Sequence, residues 1–186
     1  MTNVLVLGGT GMLRGLVLRL LEEPNEVFVL ARRPEGLRAL SEEAQAAAER
    51  LTPMALDYHD LDRLGHWVAH VQLMHGPIDQ VVAWVAGDRN QVLSVVDTEI
   101  YRYRHSPWDL FDIHGSRAAM EPRPVPQLHD NCRYHRVILG FRVEAEGSRW
   151  LSHQEIVDGV WRAMAHPEKE TIVGQVLPVD LRPPSD

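Results

Sequence analysis

Apolar and polar positions along this chain follow two periods in alternation. Short runs of aliphatic residues recur, separated by segments whose apolar residues lie three and four apart. Asn3–Leu7 (NVLVL) predicts a first strand that stops at Gly8-Gly9-Thr10-Gly11. Met12–Glu23 predicts a helix with Leu13, Val17, Leu20 and Leu21 on one side, ended by Pro24-Asn25. Glu26–Ala31 (EVFVLA) predicts the second strand, and Pro34-Glu35 opens a helix supported by the Ala-rich stretch Ala44–Arg50. Pro53–Leu56 predicts a short third strand. Asp60 can cap a helix carrying Leu61, Leu64, Trp67, Val68 and Val71, which Gly76-Pro77 breaks. Gln80–Ala86 (QVVAWVA) is apolar throughout, as in a strand buried on both faces. Asn90–Tyr101 predicts a helix and Trp108–His114 (WDLFDIH) a fifth strand.

The pattern then lapses. Pro122, Pro124 and Pro126 exclude a regular helix from Gly115–Asn131 and predict an extended crossover. Tyr134–Val143 resumes as a strand. Ser152-His153-Gln154-Glu155 is a capping box that opens a helix through Ala165, and Glu170–Val176 predicts a last strand. One domain over residues 1–180 and a flexible tail over residues 181–186, which holds Pro183-Pro184, complete the division. The fold class predicted by this alternation is α/β. The sheet is doubly wound and mostly parallel, its first strands run in 3-2-1-4-5 order, and helices cover both faces.

Composition narrows the possible functions. The length of 186 residues suits one domain, and a net charge of −7 argues against a general nucleic-acid binder. Lys169 is the only lysine, so positive charge is carried almost entirely by arginine. Cys132 is the only cysteine, which excludes an intrachain disulfide and suits a reducing compartment. Met1 leads directly into Val4–Leu7 without the basic region of a signal peptide, and no apolar run approaches the ~20 residues of a membrane span. These features predict a soluble cytoplasmic protein.

The turn between the first strand and first helix carries the clearest chemistry. Gly8, Gly9, Gly11 and Gly15 form a G-x-x-G-x-x-x-G pattern, departing from G-x-G-x-x-G because Arg14 takes the third position. Unpaired N–H groups at a helix start can hold a pyrophosphate, and glycines let it approach. Gly8, Gly9, Thr10, Gly11, Met12, Leu13 and Arg14 are therefore candidate cofactor-binding residues of a Rossmann-like dinucleotide site. An acidic residue ending the second strand would favour NAD(H). Here the strand ends in Ala31-Arg32-Arg33, whose guanidinium groups favour the 2′-phosphate of NADP(H), with Arg14 as a third positive group. Asp57 and Tyr58 can flank the adenine, and Ala86 and Gly87 can let the backbone approach the ribose.

Taken in order, VLVLGGTGMLRG, VFVLARRPEGL, ALDYHD and IDQVVAWVAG resemble the first four βα units of the short-chain dehydrogenase/reductase superfamily. GGTGML, VVAWVA, LFDIHGS and SRWLSHQEI resemble a narrower group of small bacterial proteins of that superfamily. The resemblance implies an atypical, shortened member that binds a nicotinamide dinucleotide. It also implies a catalytic Ser after the fifth strand, where Ser116 stands, and a Tyr-x-x-x-Lys pair on the next helix. That pair is missing: Tyr101, Tyr103 and Tyr134 are followed four residues later by His105, Pro107 and Ile138.

His114 and Ser116 flank Gly115 at the end of the fifth strand, where a His can donate a proton and a Ser can orient a carbonyl. Tyr134 and His135 are placed to reach the same cleft. His66 and His70, spaced i, i+4, and His75 lack a carboxylate or Cys to complete a metal set and read as a solvated helix face. Two functions follow. One is an NADP(H)-dependent oxidoreductase acting on a small carbonyl or hydroxyl substrate. The other is a non-catalytic NADP(H)-binding sensor or partner protein. A homo-oligomer is compatible with both, since something must cover the sheet face where the helix is missing.

Overall fold

Alternate residues of a strand face opposite sides of a sheet, and here both sides are apolar. In β1 (Asn3–Leu7), Val4 and Val6 enter one core while Leu5 and Leu7 enter the other. In β2 (Glu26–Ala31), Val27 and Val29 oppose Phe28 and Leu30 in the same way. Such strands need helices on both faces. A computed structural model, describing residues 1–121 and 124–184, has that arrangement.

The chain runs β1, α1 (Arg14–Glu22), β2, α2 (Pro34–Ala44), β3 (Leu51–Ala55), α3 (Leu61–His75), β4 (Gln80–Ala83), α4 (Arg89–Tyr103) and β5 (Trp108–Gly115). It continues through β6 (Cys132–Leu139), β7 (Phe141–Glu144), β8 (Gly147–Trp150), α5 (His153–Ala165) and β9 (Glu170–Val173). Seven strands pair in parallel in the order β3-β2-β1-β4-β5-β6-β9, and β7-β8 form a separate hairpin. The α/β, doubly wound reading and the 3-2-1-4-5 order hold. Residues of α1, α2 and α5 fill one core, and those of α3 and α4 fill the other.

The elements depart from expectation where local chemistry intervenes. Helix α1 starts at Arg14, because residues 8–13 remain a turn. The Ala-rich stretch does not extend α2: Gln45 sits at φ 50°, and residues 45–50 tighten into a 3-10 turn. The predicted strand Tyr134–Val143 divides at Gly140, where a Cβ would overlap the Gln175 carbonyl oxygen. The chain leaves the sheet there and forms the β7–β8 hairpin. The capping box forms as read, with Ser152 Oγ accepting from the Glu155 N–H and the Glu155 carboxylate accepting from the Ser152 N–H.

The β5–β6 crossover carries a 3-10 turn over Ser116–Ala119 and no α-helix among its described residues; Pro122 lies outside them. Its later part straps α4 instead. Ser94 Oγ donates to the Gln127 carbonyl, Asp97 accepts from the His129 N–H at 2.9 Å, and the His129 ring stacks on Tyr101 at 4.0 Å. At the carboxyl terminus, Trp150 Nε1 donates to the Pro184 carbonyl at 3.0 Å, which seats residues 182–184 against the hairpin. No helix among the described residues is long and apolar enough to cross a membrane.

Candidate functional site

The glycine turn is shaped by what surrounds it. Gly8 has φ +83°, donates its N–H to the Leu30 carbonyl, and would place a Cβ 2.8 Å from the Trp84 carbonyl oxygen. Only glycine combines that conformation with that approach. A Cβ on Gly9 would lie 2.7 Å from Val29 Cγ1, whereas one on Gly11 would meet nothing within 4 Å. The open side of the turn is therefore at Gly11. The first turn of α1 has no side-chain cap and no acidic residue; the Arg14 N–H donates to the Gly11 carbonyl at 3.0 Å, and no side-chain charge opposes the positive end of the helix dipole. Thr10 packs on Gly36 at the start of α2, and Leu13 is fully buried, so Leu13 offers only its backbone.

The arginines separate into two kinds. Arg32 and Arg33 are exposed beyond β2 with no ion-pair partner among the described residues. Arg14 Nε donates to Glu43 at 2.7 Å, so its charge is already answered by α2 and it does not stand as a third free cation. Asp57, Tyr58 and His59 bridge the ends of β3 and β4. Tyr58 Oη accepts from the Ala86 N–H at 3.3 Å, His59 Nε2 lies 2.9 Å from the Ala86 carbonyl oxygen, and Gly87 presses on the same ring. The His59 backbone N–H holds the Asp57 carboxyl below its ordinary range, aided by the His59 ring and by the charge of Arg32.

A cavity of about 590 Å³ opens at the carboxyl ends of β4, β5 and β6. It begins at Met12 of the glycine turn, passes Trp84, Ala86 and Gly87, and reaches His114, Gly115 and Ser116. Trp150 of the hairpin, His153 of α5 and Arg182 close its far side. Ser116 is 5% exposed and its Oγ has no hydrogen-bond partner among the described residues. Such a hydroxyl normally carries a partner.

Behind this wall lies a buried polar cluster. Asp112 is two residues before His114, on the same face of β5, and is 0% exposed. Its Oδ2 accepts from Arg89 NH1 and from Tyr134 Oη at 2.6 Å, and lies 2.9 Å from His114 Nε2. Arg89, the first residue of α4, also donates from NH2 to Asn90 Oδ1 and to the Pro124 carbonyl. The carboxylate thereby fixes the His114 ring. Arg89 and Asp112 are absent from the sequence reading above. Their signal was present: a carboxylate inside the apolar run of β5 requires a buried partner.

The expected reach of Tyr134 and His135 into the cleft differs from their placement. Tyr134 pairs in register with Leu110, well below the cavity, and its hydroxyl is spent on Asp112. His135 turns to the opposite face, 2.8 Å from Asp109 Oδ1 and stacked on Phe111. His66 Nδ1 lies 2.7 Å from the Asp62 carbonyl oxygen of its own helix, and His75 meets the Phe28 ring edge-on. Cys132 is half-buried, and burial pushes its thiol pKa up.

The chain is similar over nearly its whole length to solved structures of one kind. A metagenomic short-chain oxidoreductase in complex with NADP is 17% identical with a TM-score of 0.64, covering 93% of this chain and 96% of that one. A short-chain dehydrogenase from Bacillus anthracis is 14% identical with a TM-score of 0.72, over 93% and 94% of the two chains. An alcohol dehydrogenase from the archaeon Thermococcus sibiricus, complexed with 5-hydroxy-NADP, is 13% identical with a TM-score of 0.70, over 100% of both. These likenesses establish the fold. No curated protein sequence matches the chain. The family described as short chain dehydrogenase matches residues 2–103, from β1 through the end of α4, and so covers the glycine turn and the first four βα units. With more than half of the chain matched and the parallel sheet in the family's order, this protein belongs to the short-chain dehydrogenase family.

Proposed function

We propose that this chain is an NADP(H)-dependent oxidoreductase acting on a small carbonyl or hydroxyl compound, with the cavity above β4–β6 as its reaction chamber. The observation that carries this reading is the buried Ser116 hydroxyl, without a hydrogen-bond partner among the described residues, beside His114 in a cavity that starts at the open glycine turn. The residues present fit a dinucleotide. Gly11 leaves room for phosphate, the α1 start has neither a side-chain cap nor an acidic residue, and Arg32 and Arg33 stand exposed for a 2′-phosphate. The NADP and 5-hydroxy-NADP held by two structural relatives support this choice.

Bound there, the dinucleotide supplies hydride transfer. Ser116 Oγ donates to the substrate oxygen and orients it, and His114 exchanges the proton at that oxygen. Asp112, itself held by Arg89 and Tyr134, positions the His114 ring. In this arrangement His114 takes the part that the family assigns to the Tyr of Tyr-x-x-x-Lys. The single, half-buried Cys132 suits a reducing cytoplasm.

Two measurements test this reading. Titration of the protein with NADPH and NADH, followed by nucleotide fluorescence, is expected to give tighter NADPH binding. Arg32→Ala with Arg33→Ala should weaken NADPH by about tenfold to a hundredfold and leave NADH unchanged; equal affinities untouched by the double substitution would remove the NADP(H) assignment. Once a turned-over substrate is in hand, His114→Ala should lower kcat by about 10²–10⁴, and full turnover by His114→Ala with Ser116→Ala would exclude both residues. The competing reading is a non-catalytic NADP(H)-binding sensor or partner protein. It is favoured by the described part of the β5–β6 crossover, which has no α-helix to present a Tyr-x-x-x-Lys pair. NADPH oxidation that depends on an added carbonyl compound separates the two.

A further inference from the structure

The ionisable residues in the cavity wall carry one sign of charge. The protein has 26 acidic against 19 basic residues, yet the titratable side chains lining this cavity are Arg89, His114, Arg117, His153 and Arg182. No acidic side chain lines it among the described residues. The charge of Arg89 is met behind the wall by Asp112. Arg117 and Arg182 have no carboxylate partner among the described residues. Arg182 lies over the Trp150 ring, 5.3 Å from guanidinium to centroid, and its buried Nε has no hydrogen-bond partner among the described residues. A guanidinium laid on an indole is oriented and partly desolvated while its charge remains unneutralised. The positive end of α5 adds to the same side through His153, its first residue. Glu155, the acid in that helical turn, is committed to Arg149, Arg142 and the Ser152 N–H, and is held at about 2 by the Arg149 hydrogen bond first. Between the cations the wall is apolar, through Met12, Trp84, Ile113, Leu139 and Trp150.

An apolar chamber whose wall holds two guanidinium groups with no carboxylate partner among the described residues fits a particular substrate class. We infer that the substrate is a small apolar or aromatic carboxylate that also bears the reacting carbonyl or hydroxyl, with its carboxylate on Arg182 and Arg117. This inference rests on the reading of the cavity as the substrate half of a dinucleotide enzyme, and it assigns the substrate class for that reading. A planar, singly charged carboxylate matches a guanidinium fork, and the apolar wall covers the remainder of the molecule.

The test is tryptophan fluorescence, to which Trp84 and Trp150 of the cavity wall contribute among the five tryptophans, during titration with benzoate and phenylacetate against the neutral isosteres benzamide and phenylacetamide, with and without saturating NADPH. The carboxylates are expected to bind about tenfold or more tightly than the amides. Arg182→Ala should remove that preference while leaving amide binding alone. Arg117→Ala, an exposed change on the 3-10 turn after β5, should reduce it in the same direction. Equal binding of acids and amides, or a preference untouched by both substitutions, would overturn the inference. So would competition between NADPH and benzoate, because the cations would then serve the cofactor's phosphates. Failure of NADPH to bind, with the acid preference intact, would count against the oxidoreductase reading and not against the anion site.

Discussion

Arg89→Ala is expected to destabilise the protein by about 3–5 kcal/mol, the usual consequence of leaving a buried charge without its partner. Asp112 is 0% exposed, and Arg89, at 4%, is the cation set against it. With the guanidinium removed, Oδ2 keeps only the Tyr134 hydroxyl and the His114 ring, and Oδ1 already has no hydrogen-bond partner among the described residues. For a chain of this size the loss corresponds to a fall in Tm of about 6–20 °C. Urea melts followed by circular dichroism check the value, and a change within about 1 kcal/mol of the parent would show that the pair is solvated. The double substitution Arg89→Met, Asp112→Leu should recover most of the stability, since an apolar pair of similar volume replaces a buried ion pair at little cost. It should not recover activity, because nothing would then hold the His114 ring. Stability and function therefore separate in one experiment.

Gly140→Ala is expected to cost about 3 kcal/mol, at the upper end for overpacking. The added methyl would overlap the Gln175 carbonyl oxygen, an atom of the main chain that no side-chain rotamer can move aside. Phe141 and Gln175 exchange backbone hydrogen bonds at 2.8 and 2.9 Å beside it, and these must break or shift together. The effect reaches the cavity, because Gly140 and Trp150 both line it and the β7–β8 hairpin pivots at Gly140. A red shift of Trp150 emission should accompany the loss of stability. Near-parental stability with unchanged emission would mean that the chain passes Gln175 with room to spare.

The glycine turn, the two arginines after β2 and the His114–Ser116 pair are the candidate site residues that the sequence alone offers. Their legibility has a common cause: each lies within a few positions of a strand end, and in a parallel sheet strand ends are where ligands bind. Arg14 read the same way and proved different, because Glu43 is 29 positions away and no pattern around Arg14 announces it. Tyr134 is a comparable case. Entry into β6 placed it near the cleft in sequence terms, but the register against β5 sets it opposite Leu110, within reach of Asp112.

The sequence by itself determined the order of the elements through β5, their periods and the buried faces of the strands, because these depend on residues two to four positions apart and on the water they exclude. The break at Gly140 and the β7–β8 hairpin came from the tertiary approach of Gln175. The sequence also determined the capping box at Ser152 for the same local reason, whereas the need for glycine at position 8 comes also from the Trp84 carbonyl that packs on it. Only the tertiary structure decided which charges meet. Arg89, Asp112 and Tyr134 come together from α4, β5 and β6 across 23 and 22 positions of chain. Arg182 lines the cavity where Trp150 meets its guanidinium and donates to the Pro184 carbonyl, 34 positions away along the chain. Pairing of charges depends on distance and dielectric in the folded molecule, and neither can be read from spacing along the chain.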